Sequence, residues 1–214
     1  MLIYERELDR NTDWAVHEGS AHFEGRSAVQ KALYAVARKL DELGIPYAIA
    51  GGMAMYLHGY RRFTEDVDML VTEDGLRRIH EQLEGRGYRP LFPGSKNLRD
   101  TEHGVRIEFL VSGQYPGDGR PKPVSFPDPE GSFVDINGIH VVNLVKLIEL
   151  KLASGTAPGR RKDIGDAQEV MRALKLPLSY QEQLNPMVRP LYVELWEELQ
   201  SEARQEPLPE KSIS

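Results

Sequence analysis

The chain has no cysteine among its 214 residues, which removes a disulfide framework, a thiolate zinc site and a cysteine nucleophile together. It also has no apolar run approaching the ~20 residues that a membrane-spanning helix needs. The opening stretch, MLIYERELDRNTD, mixes charges of both signs and lacks an apolar signal core, so it predicts no export. Positive charge is not in excess either. With 27 basic against 33 acidic side chains the formal net charge is -6, which argues against wholesale coating of nucleic acid but leaves room for a local basic groove. A chain of this length buries a core without staples, as one domain with an appendage or as two small ones. The expectation is a cytoplasmic globular protein.

No repeat is visible, and residues 1–26 mix aromatics, histidines and charges without a period. Ser27 with Gln30 forms a capping box, and Val29, Leu33, Val36, Leu40 and Leu43 follow at helical spacing until Gly44. A short apolar strand is expected at Tyr47 to Ala50, then the pair Gly51-Gly52 and a short helical stretch, MAMYLHGY. DVDMLV reads as a second strand, residues 73–83 as a helix, and Tyr88 to Leu91 as a strand. Val105, Ile107, Phe109 and Val111 alternate with Arg106, Glu108 and Leu110, the pattern of a half-buried strand. Residues 112–132, rich in proline and glycine, read as a long surface loop that could lie over a site. One strand is expected from Phe133 to Val142. Asn143 caps a helix ending at Gly155, and another helix carries Ile164, Ala167, Val170, Met171 and Leu174. Ser179 with Glu182 suggests a further capping box, and a last helix follows Pro190. The boundaries are a core at 1–142 with an N-terminal extension, a helical region at 143–204 packed on it, and a polar tail at 205–214. Strands leading and helices following make the class α+β.

The chemistry is concentrated in AIAGGMAMYLHGYRRFTEDVDMLV. A strand delivers two glycines directly to a helix start, where backbone N–H groups can approach an anion closely. Downstream, Asp66 and Asp68 are two apart on a strand, so both carboxylates project from one face while Val67 and Met69 face the core. Two adjacent acids repel unless a cation lies between them, and magnesium suits hard oxygen ligands and phosphates. Glu108, on the polar side of an otherwise apolar strand, is the candidate third acid. Such a set can bind a triphosphate, activate a hydroxyl and stabilise departing pyrophosphate.

The pattern Gly51-Gly52 followed by Asp66-Val67-Asp68 resembles the signature of the polymerase-beta-like nucleotidyltransferase superfamily. The wider string, with His58-Gly59 and Arg62-Phe63-Thr64 between glycines and acids, is most similar to the bacterial branch of AbiE-type abortive-infection toxins. The resemblance covers roughly residues 28–175. It implies a nucleotidyltransferase-type mixed β-sheet flanked by helices and followed by a helical region. It also implies transfer of a nucleoside monophosphate from an NTP with magnesium, or manganese, as cofactor. Gly51 and Gly52 would hold the triphosphate, and Asp66, Asp68 and Glu108 would ligate metal, although many relatives carry aspartate at the last position. Lys151 lies on the stripe of Leu144, Leu147 and Ile148, where a lysine is costly without an anion. With Arg161-Lys162-Asp163 and Asp166 it matches a second motif of that branch. By that analogy Lys151 would contact phosphates, and Asp163 would hold a basic side chain or shape the site. Arg62 and Thr64 are further candidates for the nucleotide site.

Other readings stay open from the residues alone. Thr64 could hydrogen-bond the strand end or support Asp66, and His58 fits a packing role better than that of a base. The acceptor could be a protein side chain, an RNA end or a small molecule, and an antitoxin protein would be the partner of a toxin. A non-catalytic nucleotide- or partner-binding module and a magnesium phosphohydrolase are the competing functions.

Overall fold

A single sheet organises the chain. The computed structural model describes residues 2–205; the expected tail lies, from 206 onward, outside the described residues. Where the sequence reads without a period, two helices form, α1 (Tyr4–Arg10) and α2 (Thr12–Phe23). Their burial is partly polar, which hides it from a hydrophobic count. Glu18 accepts hydrogen bonds from the Tyr4 hydroxyl at 3.1 Å and from the Ala28 amide at 2.9 Å. Helix α3 (Ala28–Glu42) starts at the Ser27 capping box, with both reciprocal bonds present. Val29, Leu33, Val36 and Leu40 are completely buried.

The strands are β1 (Tyr47–Ile49), β2 (Asp66–Val71), β3 (Tyr88–Pro90), β4 (Leu98–Asp100), β5 (Arg106–Val111), β6 (Phe133–Ile136) and β7 (Ile139–Val142), joined in the order β3-β4-β5-β2-β1-β7-β6. Pairing is mixed: β2 runs parallel to β5 and antiparallel to β1, and β1 runs parallel to β7. Helix α4 (Gly51–Leu57) follows β1 at once, α5 (Glu73–Leu83) follows β2, and α3 and α5 pack on β2 and β5. Helices α6 (Leu144–Gly155), α7 (Arg161–Ala173) and α8 (Arg189–Gln205) complete the chain. Leu147, Leu152, Val170, Met171 and Leu195 belong to the same apolar cluster as the sheet.

Two expectations are corrected, and one strand is new. The single strand expected over 133–142 is a hairpin, because Asn137 and Gly138 both adopt positive φ (56° and 75°) and turn the chain. Asn-Gly is the usual sequence of such a two-residue turn. The capping box expected at Ser179 and Glu182 is absent; Leu178–Gln183 is a 3-10 helix without a side-chain cap. Pro186 lacks the amide that a continuing α-helix would need. Strand β4, unmarked in the sequence, is only three residues long and buries Arg99 and Asp100 beside Leu98. Arg99 is carried inward by a 2.7 Å ion pair with Glu5 of α1.

The proline- and glycine-rich stretch after β5 forms no regular element, yet it is tied down. Gly113 donates to the Phe126 carbonyl and Phe126 to the Gln114 carbonyl, each at 2.8 Å. Val124 is buried.

Candidate active site

Strand periodicity gathers the acids. Along β2 and β5 the odd-facing residues Val67, Met69, Ile107 and Phe109 are completely buried, which turns Asp66, Asp68, Arg106 and Glu108 to the opposite face. Parallel register places Asp66 beside Arg106 and Asp68 beside Glu108. They form the floor of a cleft of about 460 Å³, whose other walls include Gly52, Arg62, Thr64, Lys151, Asp163 and Asp166.

The glycine pair has a steric reason. A Cβ on Gly51, whose φ is +56°, would come 1.7 Å from Asp68 Oδ2; one on Gly52 would come 2.6 Å from Thr64 Oγ1. Only bare Cα atoms let α4 close on β2 here. Thr64 resolves its open alternatives: its hydroxyl donates to Asp66 Oδ1 at 3.0 Å. His58 lies at 2.8 Å from the Val142 carbonyl through Nε2, tying α4 to β7. Arg61 lies over the Tyr56 ring at 5.6 Å.

Arg106 is the residue whose role the sequence reading missed. It donates to Asp66 Oδ2 at 2.9 Å and approaches Glu108 Oε1 at 3.1 Å. Its position two residues before Glu108, on the same face, was the available signal. This guanidinium pairs with both outer acids, and among the described residues no three His, Asp or Glu side chains converge closely enough to hold a metal as placed. Asp68 differs. No hydrogen-bond donor among the described residues reaches its carboxylate, and burial, followed by the charges of Asp66 and Glu108, pushes its pKa up to about 7 against the pull of Lys151 and Arg106. A carboxylate that accepts no hydrogen bond from the protein, beside a second acid, has the chemistry of a divalent-cation ligand. Asp66 and Asp68 carry the hard oxygen donors that such a cation takes, whereas Glu108 is paired with Arg106.

Helix α6 supplies a cation and α7 the acids that hold it. Lys151 Nζ donates to Asp163 Oδ1 and Asp166 Oδ2, each at 2.7 Å, so the lysine on an apolar stripe is explained by paired carboxylates. Arg62 reaches the same Asp166 at 3.1 Å. Ser154 donates to Asp163 at 2.8 Å, and Arg160 approaches the same oxygen at 2.8 Å. Burial raises the Asp163 pKa, but Lys151, Ser154 and Arg160 outweigh it, so the acid titrates below its ordinary range. The structure brings Gly52, Arg62, Thr64, Asp66, Asp68, Glu108, Lys151 and Asp163 into one cleft, while Gly51 lines the smaller cavity beside it. It gives Asp166, which stood in the second motif without a role, two cationic partners, and it adds Arg106 and, behind the wall, His22, whose Nε2 lies 2.9 Å from the Arg62 carbonyl.

No protein-family model matches the chain. The trans,polycis-polyprenyl diphosphate synthase ((2Z,6E)-farnesyl diphosphate specific) of Thermobifida fusca (strain YX) is 32% identical over 89 residues, which is 41% of this chain. The match spans only 31% of that relative's own length. Among solved structures, ANT(2")-Ia in complex with adenylyl-2"-tobramycin aligns over 81% of this chain and 97% of its own, at 15% identity and a TM-score of 0.51. An antigenic nucleotidyltransferase-like protein from Paracoccidioides brasiliensis aligns over 83% of this chain and 91% of its own, at 17% identity and a TM-score of 0.49. No helix among the described residues is long and apolar enough to cross a membrane. At such identities the likeness is one of fold: the chain is an α+β protein with a nucleotidyltransferase-type mixed sheet, flanking helices and a helical C-terminal region.

Proposed function

We propose that the protein is a metal-dependent nucleotidyltransferase that moves a nucleoside monophosphate from an NTP to a hydroxyl acceptor. The observation that carries this reading is Asp68, an acid without a hydrogen-bond donor on the floor of a polar cleft, between Asp66 and Glu108 on one side and Lys151 on the other. Asp66, Asp68 and Glu108 would hold magnesium, which supplies charge neutralisation at the phosphates when bound. Arg62 and Lys151 face the same cleft and would draw in the triphosphate, with the Gly51-Gly52 turn allowing close approach. The acceptor oxygen attacks the α-phosphorus, its proton passes to a cleft carboxylate, and the bond to the bridging oxygen breaks with pyrophosphate carrying away the electron pair.

The acceptor is a protein side chain, an RNA end or a small molecule; ANT(2")-Ia, of the same fold, is seen with an adenylylated antibiotic. The AbiE-like string around Asp66 and Asp68 extends the proposal to a cytoplasmic toxin held in check by an antitoxin protein. Growth arrest on expression, relieved by a neighbouring gene, tests that extension. One observation favours a second reading: Arg106 already supplies a cation to Asp66 and Glu108, as a nucleotide-binding module without transfer would permit. Incubation with each α-labelled NTP, magnesium and cell extract separates the readings. Label transfer that vanishes in Asp68→Asn supports the enzyme; nucleotide binding without transfer supports the module.

A further inference from the structure

A second, smaller cavity of about 130 Å³ adjoins the polar cleft and shares Asp68, Glu108, Lys151, Arg160 and Asp163 with it. Its character is different. The walls it does not share include Leu110, Pro116, Gly117, Phe126, Leu147 and Leu150, none with a side chain that can hydrogen-bond. Its volume is comparable with the ~150 Å³ apolar cavity that takes one benzene ring. Ser154 at its rim is already committed, donating to Asp163 and accepting from Arg160 Nε at 3.3 Å.

The slot is constructed by the stretch between β5 and β6. Gly117, at φ +80°, brings that stretch against α6 so closely that a Cβ there would lie 2.9 Å from the Ser154 carbonyl oxygen. The two backbone bonds between Phe126 and residues 113 and 114 set the aromatic ring in the wall. A narrow space with apolar walls on one side, opening on the acids, suits a flat heterocycle held by its faces, with the second ring of a purine left in the opening. A hydroxyl-bearing acceptor suits the polar cleft better, where Glu65, Arg106 and Lys162 line the wall.

We propose that this slot seats the nucleobase of the NTP and grips its faces without reading its edges. The inference rests on the nucleotidyl-transfer reading and adds a property of its own: weak choice among bases. Ring stacking tolerates every base because each has a π-face. Where the walls that hold the ring carry no hydrogen-bonding side chain, as at Leu110, Phe126, Leu147 and Leu150, near-isosteres are rejected only modestly.

Equilibrium binding in the presence of magnesium tests it, with the four NTPs and inorganic tripolyphosphate as probes. The wild type should bind all four NTPs with Kd values within about tenfold of one another, and each about tenfold or more tighter than tripolyphosphate. Leu110→Trp, which fills the slot, should weaken NTP binding to the tripolyphosphate level while leaving tripolyphosphate unchanged. That unchanged control also reports an intact cleft. Should Leu110→Trp fail to fold, Phe126→Ala should weaken NTP binding about tenfold with the same control. NTP binding untouched by both variants overturns the assignment. So does selection of one base by more than about a hundredfold. Unchanged NTP affinity with slowed transfer assigns the slot to the acceptor and overturns it too. A wild type that binds neither NTP nor tripolyphosphate fails the nucleotidyl-transfer reading itself and takes the slot with it; wild-type NTP binding that both slot variants leave intact fails the slot alone.

Discussion

Gly51 and Asp68 meet where the first leaves no room for a side chain: a Cβ on Gly51 would stand 1.7 Å from Asp68 Oδ2. The contact joins the start of α4 to the acid-bearing strand, and the +56° φ of Gly51 adds a backbone reason for glycine. Gly51→Ala should therefore displace the carboxylate and strain the turn. The expected loss is about 100-fold or more in transfer rate and about 1–3 kcal/mol in stability. Rate assays and denaturant titration measure the two effects; an alanine variant of wild-type rate would sever the glycine from the chemistry.

Asp68 makes the metal-free protein sensitive to pH. Its pKa is pushed up to about 7, so the folded state binds more protons than the unfolded state between the ordinary carboxylate range and pH 7. Stability contributed by the protonated form is present at low pH and declines as pH rises through that window. Magnesium should restore it above pH 7 by stabilising the ionised form. Urea titrations at pH 5 and pH 8, with and without magnesium, should show this dependence in the wild type and a flattened one in Asp68→Asn. Equal magnesium effects in both proteins would remove Asp68 from the metal site.

Asp166 ties two cations from separate elements, Arg62 and Lys151, and its side chain is only 7% exposed. Removing one partner from a buried ion-pair network leaves charge uncompensated, at a cost of about 3–5 kcal/mol. Asp166→Ala should lose about 3 kcal/mol in chemical denaturation. A loss below about 1 kcal/mol would place the network among weak surface pairs.

His22 is fully buried and reaches the Arg62 carbonyl through Nε2. Burial lowers its pKa, so the folded state resists the proton that the unfolded state accepts, and stability should fall as pH drops below the ordinary histidine value of about 6.5. Its position also gives the N-terminal helices a hold on the cleft. His22→Gln, which keeps a donor near Nε2, should retain the NTP KM, whereas His22→Phe should raise it several-fold with kcat little changed. Equal KM values in the two variants would make His22 a packing residue alone.

Much of this arrangement was legible beforehand, and the exceptions have causes. Strand β2 and helices α3, α5 and α6 carry regular periods and caps, and the acids of β2 and β5 follow from alternation alone. Helices α1 and α2 escaped because they bury Glu18 and His22, whose partners lie on α1, α3 and the Arg62 turn. Arg106 is written plainly in the strand pattern, but its pairing with Asp66 depends on which strand neighbours β5, a tertiary fact. The hairpin at Asn137-Gly138 was in the sequence and outweighed by the apolar run around it. The slot beside Asp68 joins residues from β5, α6 and the intervening loop, so no local pattern announces it.

The central claim is transfer of a nucleoside monophosphate under the control of Asp68. Paired reactions with α-labelled and γ-labelled NTP, magnesium and an acceptor-containing extract test it most directly. The α-label should enter a larger product while the γ-label leaves as pyrophosphate, and both signals should vanish in Asp68→Asn. Release of γ-label as free phosphate with no α-label transferred, or transfer undiminished in Asp68→Asn, would contradict it.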